Sequence, residues 1–279
     1  MSNANKLLAA SVLGCSMILG SGVAAAACAD GKTLNDGRLT IATGNPAYAP
    51  WVMDDDPASG NGFEAATAYA VAGAMGFESS EVDWVRTSFD EAIQPGEKNF
   101  DFNLQQYSIN ADREKVIDFS APYYTTAVAV VVKEGSDAEN VEPTGTALRK
   151  LRFGAAAGTT SQTFLNDVVK PEQDLLLYDD NANVIAAIAA NQIDALVFDL
   201  PSALFATAVQ IDGGKIVGQF PVEASIEPDN FGLLMAEGSA LKGCVDEAIA
   251  SLKADGKLAE IESQWLGDGA GVPVIDLNK

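Results

Sequence analysis

Short apolar runs rich in β-branched residues alternate with longer segments of helical spacing along most of the chain, strand followed by helix. Residues 39–43 read as a strand and 62–75 as a helix carrying Phe63, Tyr69, Ala70 and Ala74. A short strand follows at 82–85. Ser88-Phe89-Asp90-Glu91 has the S-x-x-E spacing of a capping box and opens a helix that Pro95-Gly96 cuts short. The next strand spans 100–104, and Asn110 is placed to cap the turn that holds Arg113. The continuously apolar run 127–132 fits a buried strand or a crossing between domains. Beyond a Gly-, Pro-, Asp- and Glu-rich loop at 134–145, strand–helix units recur: 151–156 into a helix from Thr160, 175–178 into 183–190, and 195–198 into 201–209. Strands at 216–220 and 231–235 and helices at 239–253 and 257–265 complete the pattern. Alternation of this kind predicts α/β layers around mostly parallel sheets.

With 279 residues and 48% apolar side chains, the chain can bury one large core or two. It carries 39 acidic and 17 basic side chains, a formal charge of −22, and no histidine. Such a surface repels polyanions, so no nucleic acid is expected as a partner. Without histidine the usual general base, the Ser-His and Cys-His nucleophile pairs and the commonest metal ligand are all missing. Asp54-Asp55-Asp56 lacks the spaced ligands of a calcium loop and reads as a solvated loop. No metal and no other cofactor is expected.

The first 27 residues have the order of an export signal: Lys6, the apolar run 7–20, then small residues ending Ala25-Ala26-Ala27. Cleavage is expected after Ala27, because the apolar run is too short for a membrane span. A competing reading takes Val12-Leu13-Gly14-Cys15 as a lipidation box with an anchor at Cys15, but leaves an apolar stretch of only 7–14. The mature chain would keep Cys28 and Cys244, an even count that in an exported protein suggests a disulfide. Closing so long a loop would stabilise the fold by about 3–5 kcal/mol. The alternative is two unpaired thiols. Neither cysteine lies in a C-x-x-C or beside a base, so cysteine catalysis is not expected.

Several segments carry a family resemblance together. Asn45-Pro46-Ala47-Tyr48-Ala49-Pro50-Trp51 follows the first strand, and Gly62-Phe63-Glu64 opens the first helix. Phe100-Asp101-Phe102-Asn103-Leu104-Gln105-Gln106-Tyr107-Ser108-Ile109 leads to Arg113-Glu114 and Asp118-Phe119-Ser120-Ala121-Pro122-Tyr123-Tyr124. Ala157-Gly158-Thr159-Thr160 closes a strand, and Ile193-Asp194-Ala195 leads to Asp199. In this order the motifs resemble the bacterial extracellular solute-binding proteins of family 3, the periplasmic receptors of polar amino acid ABC importers. The resemblance spans roughly 37–267. It implies a two-lobed α/β binding-protein fold of the type II kind, with two strand crossovers forming a hinge. Lobe 1 is expected at 28–128 plus 222–279 and lobe 2 at 129–221. It also implies a monomer that hands its ligand to a membrane ABC permease.

A free amino acid presents a carboxylate and an ammonium on one carbon, so its receptor needs fixed groups of both signs. Arg113 suits the carboxylate, since guanidinium stays charged and can grip with two parallel bonds. Gly158, Thr159 and Thr160 suit the same anion, at a tight turn that opens a helix. Asp199, at a strand end, suits the ammonium. The resemblance assigns the matching residues these same roles. Plainer readings stand beside them: Arg113 pairing with Asp101 or Asp118, Asp199 as the N-cap before Pro201, and Tyr123 and Tyr124 as packing at the lobe junction.

By the same resemblance Tyr48, Trp51 and Phe89 match aromatic or apolar walls around the ligand, with a core reading equally open for Trp51. Gln105, Gln106 and Ser108 occupy the stretch that lines the site. The two glutamines depart from its usual small residues and suit a polar uncharged or small ligand. Asn45 stands where some receptors for cationic amino acids carry an acid, which disfavours such ligands. A cyclohexadienyl dehydratase-like enzyme on the same fold is the alternative, with Glu64 or Asp199 as its only obvious proton carriers.

Overall fold

The apolar run that begins at Leu39 is buried on both faces, as a central strand flanked by helices must be. The computed structural model describes residues 28–221, 229–267 and 271–279. The expected export signal, with Lys6 and Cys15, lies outside them, as does 222–228, where the chain was expected to return to lobe 1. In chain order the elements are β1 (Leu39–Gly44), α1 (Phe63–Ala74), β2 (Val82–Thr87), α2 (Phe89–Ile93), β3 (Phe102–Asn103), β4 (Ile117–Phe119), β5 (Tyr124–Thr126) and β6 (Val128–Lys133). There follow α3 (Gly145–Leu148), β7 (Phe153–Ala156), α4 (Thr160–Phe164), β8 (Leu176–Tyr178), α5 (Asn181–Ala189), β9 (Ala195–Asp199) and α6 (Leu200–Phe205). The remainder is β10 (Gly214–Gln219), β11 (Asp229–Phe231), β12 (Leu234–Ala236), α7 (Lys242–Ala254) and α8 (Lys257–Trp265).

Two five-stranded sheets result, one ordered β2-β1-β3-β12-β4 and the other β10-β6-β9-β7-β8. The first sheet packs against α1, α7 and α8 through Leu39, Ile41, Phe63, Val71, Val245 and Ile249. The second sheet is apolar on both faces. Val130 and Val132 of β6 point into one core with Phe153 and Val197, while Ala129 and Val131 point into the other with Leu196 and Phe198. That is the period-two alternation of a strand covered on both sides.

The sheets are mixed rather than mostly parallel. β1 is parallel to β2 and β3, and β7 to β8 and β9, each joined through the expected strand–helix units. β6 runs antiparallel to β9 and β10, and β12 antiparallel to β3 and β4. Both strands enter their sheet directly from a crossing strand, with no helix to reverse the chain, which parallel pairing would need.

The crossing itself is a two-stranded antiparallel ribbon, β5 with β11, Tyr124 opposite Phe231. The strand expected at 231–235 is therefore two strands. They break at Gly232, where a side chain would meet Ile109 Cδ1 at 2.8 Å. Tyr123 and Tyr124 pack at this junction, Tyr124 edge-on to Trp51 and Phe63.

Two local expectations need refinement. The helices expected from Thr160 and at 201–209 stay α-helical for about one turn, α4 and α6, and then widen. Lys170 N–H donates to Leu165 O at 2.7 Å and Ile211 N–H to Ala206 O at 2.8 Å, closing five-residue turns. The tail 271–279, expected with lobe 1, docks on the second sheet. Ile275 is 1% exposed in that core, and its N–H donates to Gln219 O at 2.9 Å. Cys28 and Cys244 are bonded to each other, Cα atoms 5.8 Å apart, in the core of the first sheet.

Candidate functional site

A cleft of about 1000 Å³ lies between the sheets and takes its walls from both. Asn45, Tyr48, Phe89, Gln105, Gln106, Ser108 and Arg113 come from the side of the first sheet, and Gly158, Thr159, Thr160 and Asp199 from the second. Eleven of the twelve expected residues thus line one cavity. The twelfth, Trp51, does not. It is 1% exposed in the first core, edge-on to Phe63 and Phe231, because its ring is the largest apolar surface the junction has to bury. Its indole N–H reaches across to Ser202 Oγ at 2.8 Å, so it touches the site only through α6.

Arg113 sits in a one-turn helix, its N–H accepted by Asn110 Oδ1 at 2.9 Å, the cap read from the sequence. The side chain is 8% exposed. One guanidinium nitrogen donates to Ser108 O at 2.8 Å, another to Gly158 O at 3.2 Å, and the plane lies 5.3 Å from the centre of the Phe89 ring. Two of its five N–H groups are thereby engaged, which fixes the fork and leaves the rest for a ligand. Burial lowers its pKa from the ordinary value, while Tyr107 and Asp229 favour the charge. The plainer partners are occupied elsewhere: Asp101 accepts from Leu34 and Thr40 N–H, and Asp118 from Ser239 N–H.

The facing turn depends on Gly158, whose φ of +73° suits a residue without Cβ; a side chain there would also meet Asp90 Oδ1 at 2.9 Å. Thr159 caps α4, accepting from Gln162 N–H, and Thr160 Oγ1 lies 3.1 Å from Ser108 Oγ, joining the two walls. Gly158 N–H is taken by Gln162 Oε1 at 2.9 Å, so it is not among the free amides expected for an anion.

Asp199 ends β9 and caps α6, accepting Ser202 N–H on Oδ1 at 2.8 Å. The N-cap reading holds, and the same residue lines the cleft, since one carboxylate has two oxygens. Desolvation pushes its carboxyl up to about 7, and Asp229 adds repulsion.

The two glutamines differ. Gln105 accepts Tyr107 Oη–H at 2.8 Å, which leaves its NH₂ group available, and it fits only because Gly44 has no side chain to collide with it. Gln106 adopts a left-handed φ of +51°, and its N–H and NH₂ both donate to Glu64. Glu64 also accepts from Tyr123 Oη–H. It is 1% exposed and does not line the cleft, and burial pushes its carboxyl up to about 7. Of the two proton carriers named for an enzyme reading, Glu64 is therefore walled off from the cavity, while Asp199 lines it.

Asp229 and Phe231 also line the cleft and were not among the expected residues. They are alternate residues of β11 and so share a face. The sequence carried only that hint, because their pairing partners lie more than a hundred residues away on β5. Asp229 Oδ1 and Tyr48 Oη are buried without a hydrogen-bond partner among the described residues.

Comparison with known proteins bears on the fold and the family. The L-cystine-binding protein TcyJ of Escherichia coli (strain K12) is 27% identical over 225 residues, 79% of either chain. The arginine-binding periplasmic protein of Mannheimia haemolytica is 27% identical over 228 residues, covering 80% of this chain and 89% of its own. An ancestral arginine-binding protein solved with arginine superposes with a TM-score of 0.67 at 26% identity, over 83% of this chain and 99% of its own. An ancestral amino acid-binding protein described as a precursor of cyclohexadienyl dehydratase shares the fold with a TM-score of 0.67 at 24% identity, over 83% of this chain and 96% of its own. The family model for bacterial extracellular solute-binding proteins, family 3, matches residues 39–268, every strand of both sheets, and the chain belongs to that family.

Proposed function

We propose that this chain captures a polar amino acid, or a similar small zwitterion, between its lobes and delivers it to a membrane ABC permease. It acts as a monomer in the periplasm, after loss of residues 1–27. One observation carries the reading: Arg113, a permanent cation, and Asp199, an acid that ionises to the opposite sign, line one cleft from different sheets. Arg113 meets the ligand carboxylate, helped by the Thr160 hydroxyl, and Asp199 meets the ammonium. Tyr48, Phe89 and the Gln105 amide face the rest of the ligand. Each charge-assisted bond contributes about 1.5–3 kcal/mol. Three or four such bonds reach the ~8 kcal/mol of micromolar binding.

Isothermal titration with the twenty amino acids and L-cystine is expected to find one or a few ligands at micromolar affinity or better. Arg113→Ala is expected to weaken the best of them by at least ~2 kcal/mol. Silence across the panel sinks the amino acid reading, and unchanged affinity in the variant removes Arg113 from the site.

A further inference from the structure

An α-ammonium carries three N–H donors, and each one taken into a closed cleft needs an acceptor or is lost at a cost. Asp199 brings one unengaged oxygen to this demand. Asp199 has spent Oδ1 on Ser202 N–H, and the Ser108 carbonyl has accepted a guanidinium N–H of Arg113. Asp229 is differently placed. It lines the same cleft on β11, which lies beside the strip that lines the site: Phe231 bridges to Ser108, and Ile109 N–H donates to Asn230 O at 2.8 Å. Its Oδ1 is buried and makes no hydrogen bond among the described residues, and the Ser108 hydroxyl beside the carboxyl favours its ionised form. Arg113 and Asp199, the charged groups of the proposed site, line the same cleft as Asp229.

We propose that Asp229 is a second acceptor for the ligand's ammonium, shared with Asp199, and so selects a primary ammonium over its N-alkylated forms. The inference rests on the amino acid reading above. A single acid could be satisfied by one N–H and would tolerate alkyl groups on the others. Two acids converging on one nitrogen require at least two N–H groups and a small head. The second carboxylate also leaves the head-group end with an excess negative charge once Arg113 is matched to the ligand carboxylate. This disfavours an additional acid near the ligand's α-carbon.

The test uses the tightest binder among L-arginine, L-histidine, L-glutamine and L-cystine, together with its N,N-dimethyl analogue. Both are titrated into the wild-type protein and into Asp229→Asn. The wild type is expected to bind the dimethyl analogue at least a hundredfold more weakly than the parent. In Asp229→Asn the parent is expected to weaken at least tenfold, and the penalty for dimethylation to shrink by a similar factor. A purely structural role would weaken parent and analogue alike and leave their ratio unchanged, which overturns the proposal. Unchanged parent affinity in the variant also overturns it, while the wild-type titration still supports the amino acid reading. If the wild type binds none of the four parents, the tightest binder of the full amino acid panel takes their place, and silence across that panel brings the reading and the proposal down together.

Discussion

Asp199 caps a helix and lines the cleft with one carboxyl group. Oδ1 holds the first turn of α6 through Ser202, while the rest of the group faces the cleft. Desolvation raises its pKa to about 7, and Asp229 moves the same way for the same cause. A ligand ammonium favours the ionised form, so binding releases a proton wherever the empty site holds one. Affinity is therefore expected to rise with pH through about 7 and to fall by up to roughly tenfold per pH unit below it. Titration calorimetry between about pH 5.5 and 8.5, in buffers of different ionisation enthalpy, reads both the affinity and the proton. A flat profile would mean that neither acid meets the ligand. Stability of the empty protein runs the other way. Asp199 and Glu64 hold protons in the folded state to higher pH than in the unfolded chain, so their contribution declines as pH rises from about 4 to 7. Gln106 shows how such a buried acid earns its place: its left-handed backbone is held by two donations to Glu64.

Among the elements, strands and helices differed in how readily they could be read. β1, α1, β6, β9 and α8 begin and end within a few residues of expectation, because each has a complete apolar face and a clear terminator. The Ser88 cap of α2 is also in place, accepting Glu91 N–H. The split of 231–235 into β11 and β12 was hidden, since a continuous apolar run does not say which strands it pairs with. At this scale the disulfide makes a clean prediction. It ties the N-terminus of the described chain to α7, and no residue of α7 lines the cleft. Cys28→Ser with Cys244→Ser is expected to lower the unfolding free energy by about 2–5 kcal/mol. Ligand affinity is expected to stay within roughly twofold, well under 1 kcal/mol. Chemical denaturation and calorimetry on the same sample check both. A large loss of affinity would mean that the bridge supports the site itself.

At the scale of the whole molecule the chain passes between the sheets on the β5–β11 ribbon, and its tail returns to the second sheet. Residues 271–279 fill a gap beside Gln219 and Pro143, with Ile275 inside the core and Gly145 N–H donating to Asp276 O at 2.9 Å. Gly145 and Gly218 are small here because a side chain would strike the tail at 2.9 Å or closer. Ile275→Ala is expected to cost about 2–4 kcal/mol of stability. Denaturant unfolding followed by a probe on the second sheet checks this. A loss below ~0.5 kcal/mol would show that the tail contributes little to that core.

Local pattern determined the alternation of strand and helix, the apolar faces and the chemically distinctive residues Arg113, Gly158–Thr160 and Asp199. These depend on neighbours within a turn or a strand, and on motifs short enough to read in one stretch. Only the tertiary structure decided that Trp51 belongs to the core, that Glu64 closes behind Gln106, that the tail crosses to the second sheet, and that Asp229 shares the cleft with Asp199. Each of these joins groups far apart in the chain. Apolar periodicity says which face of an element must be covered, but the energy that chooses what covers it arises only when distant segments pack.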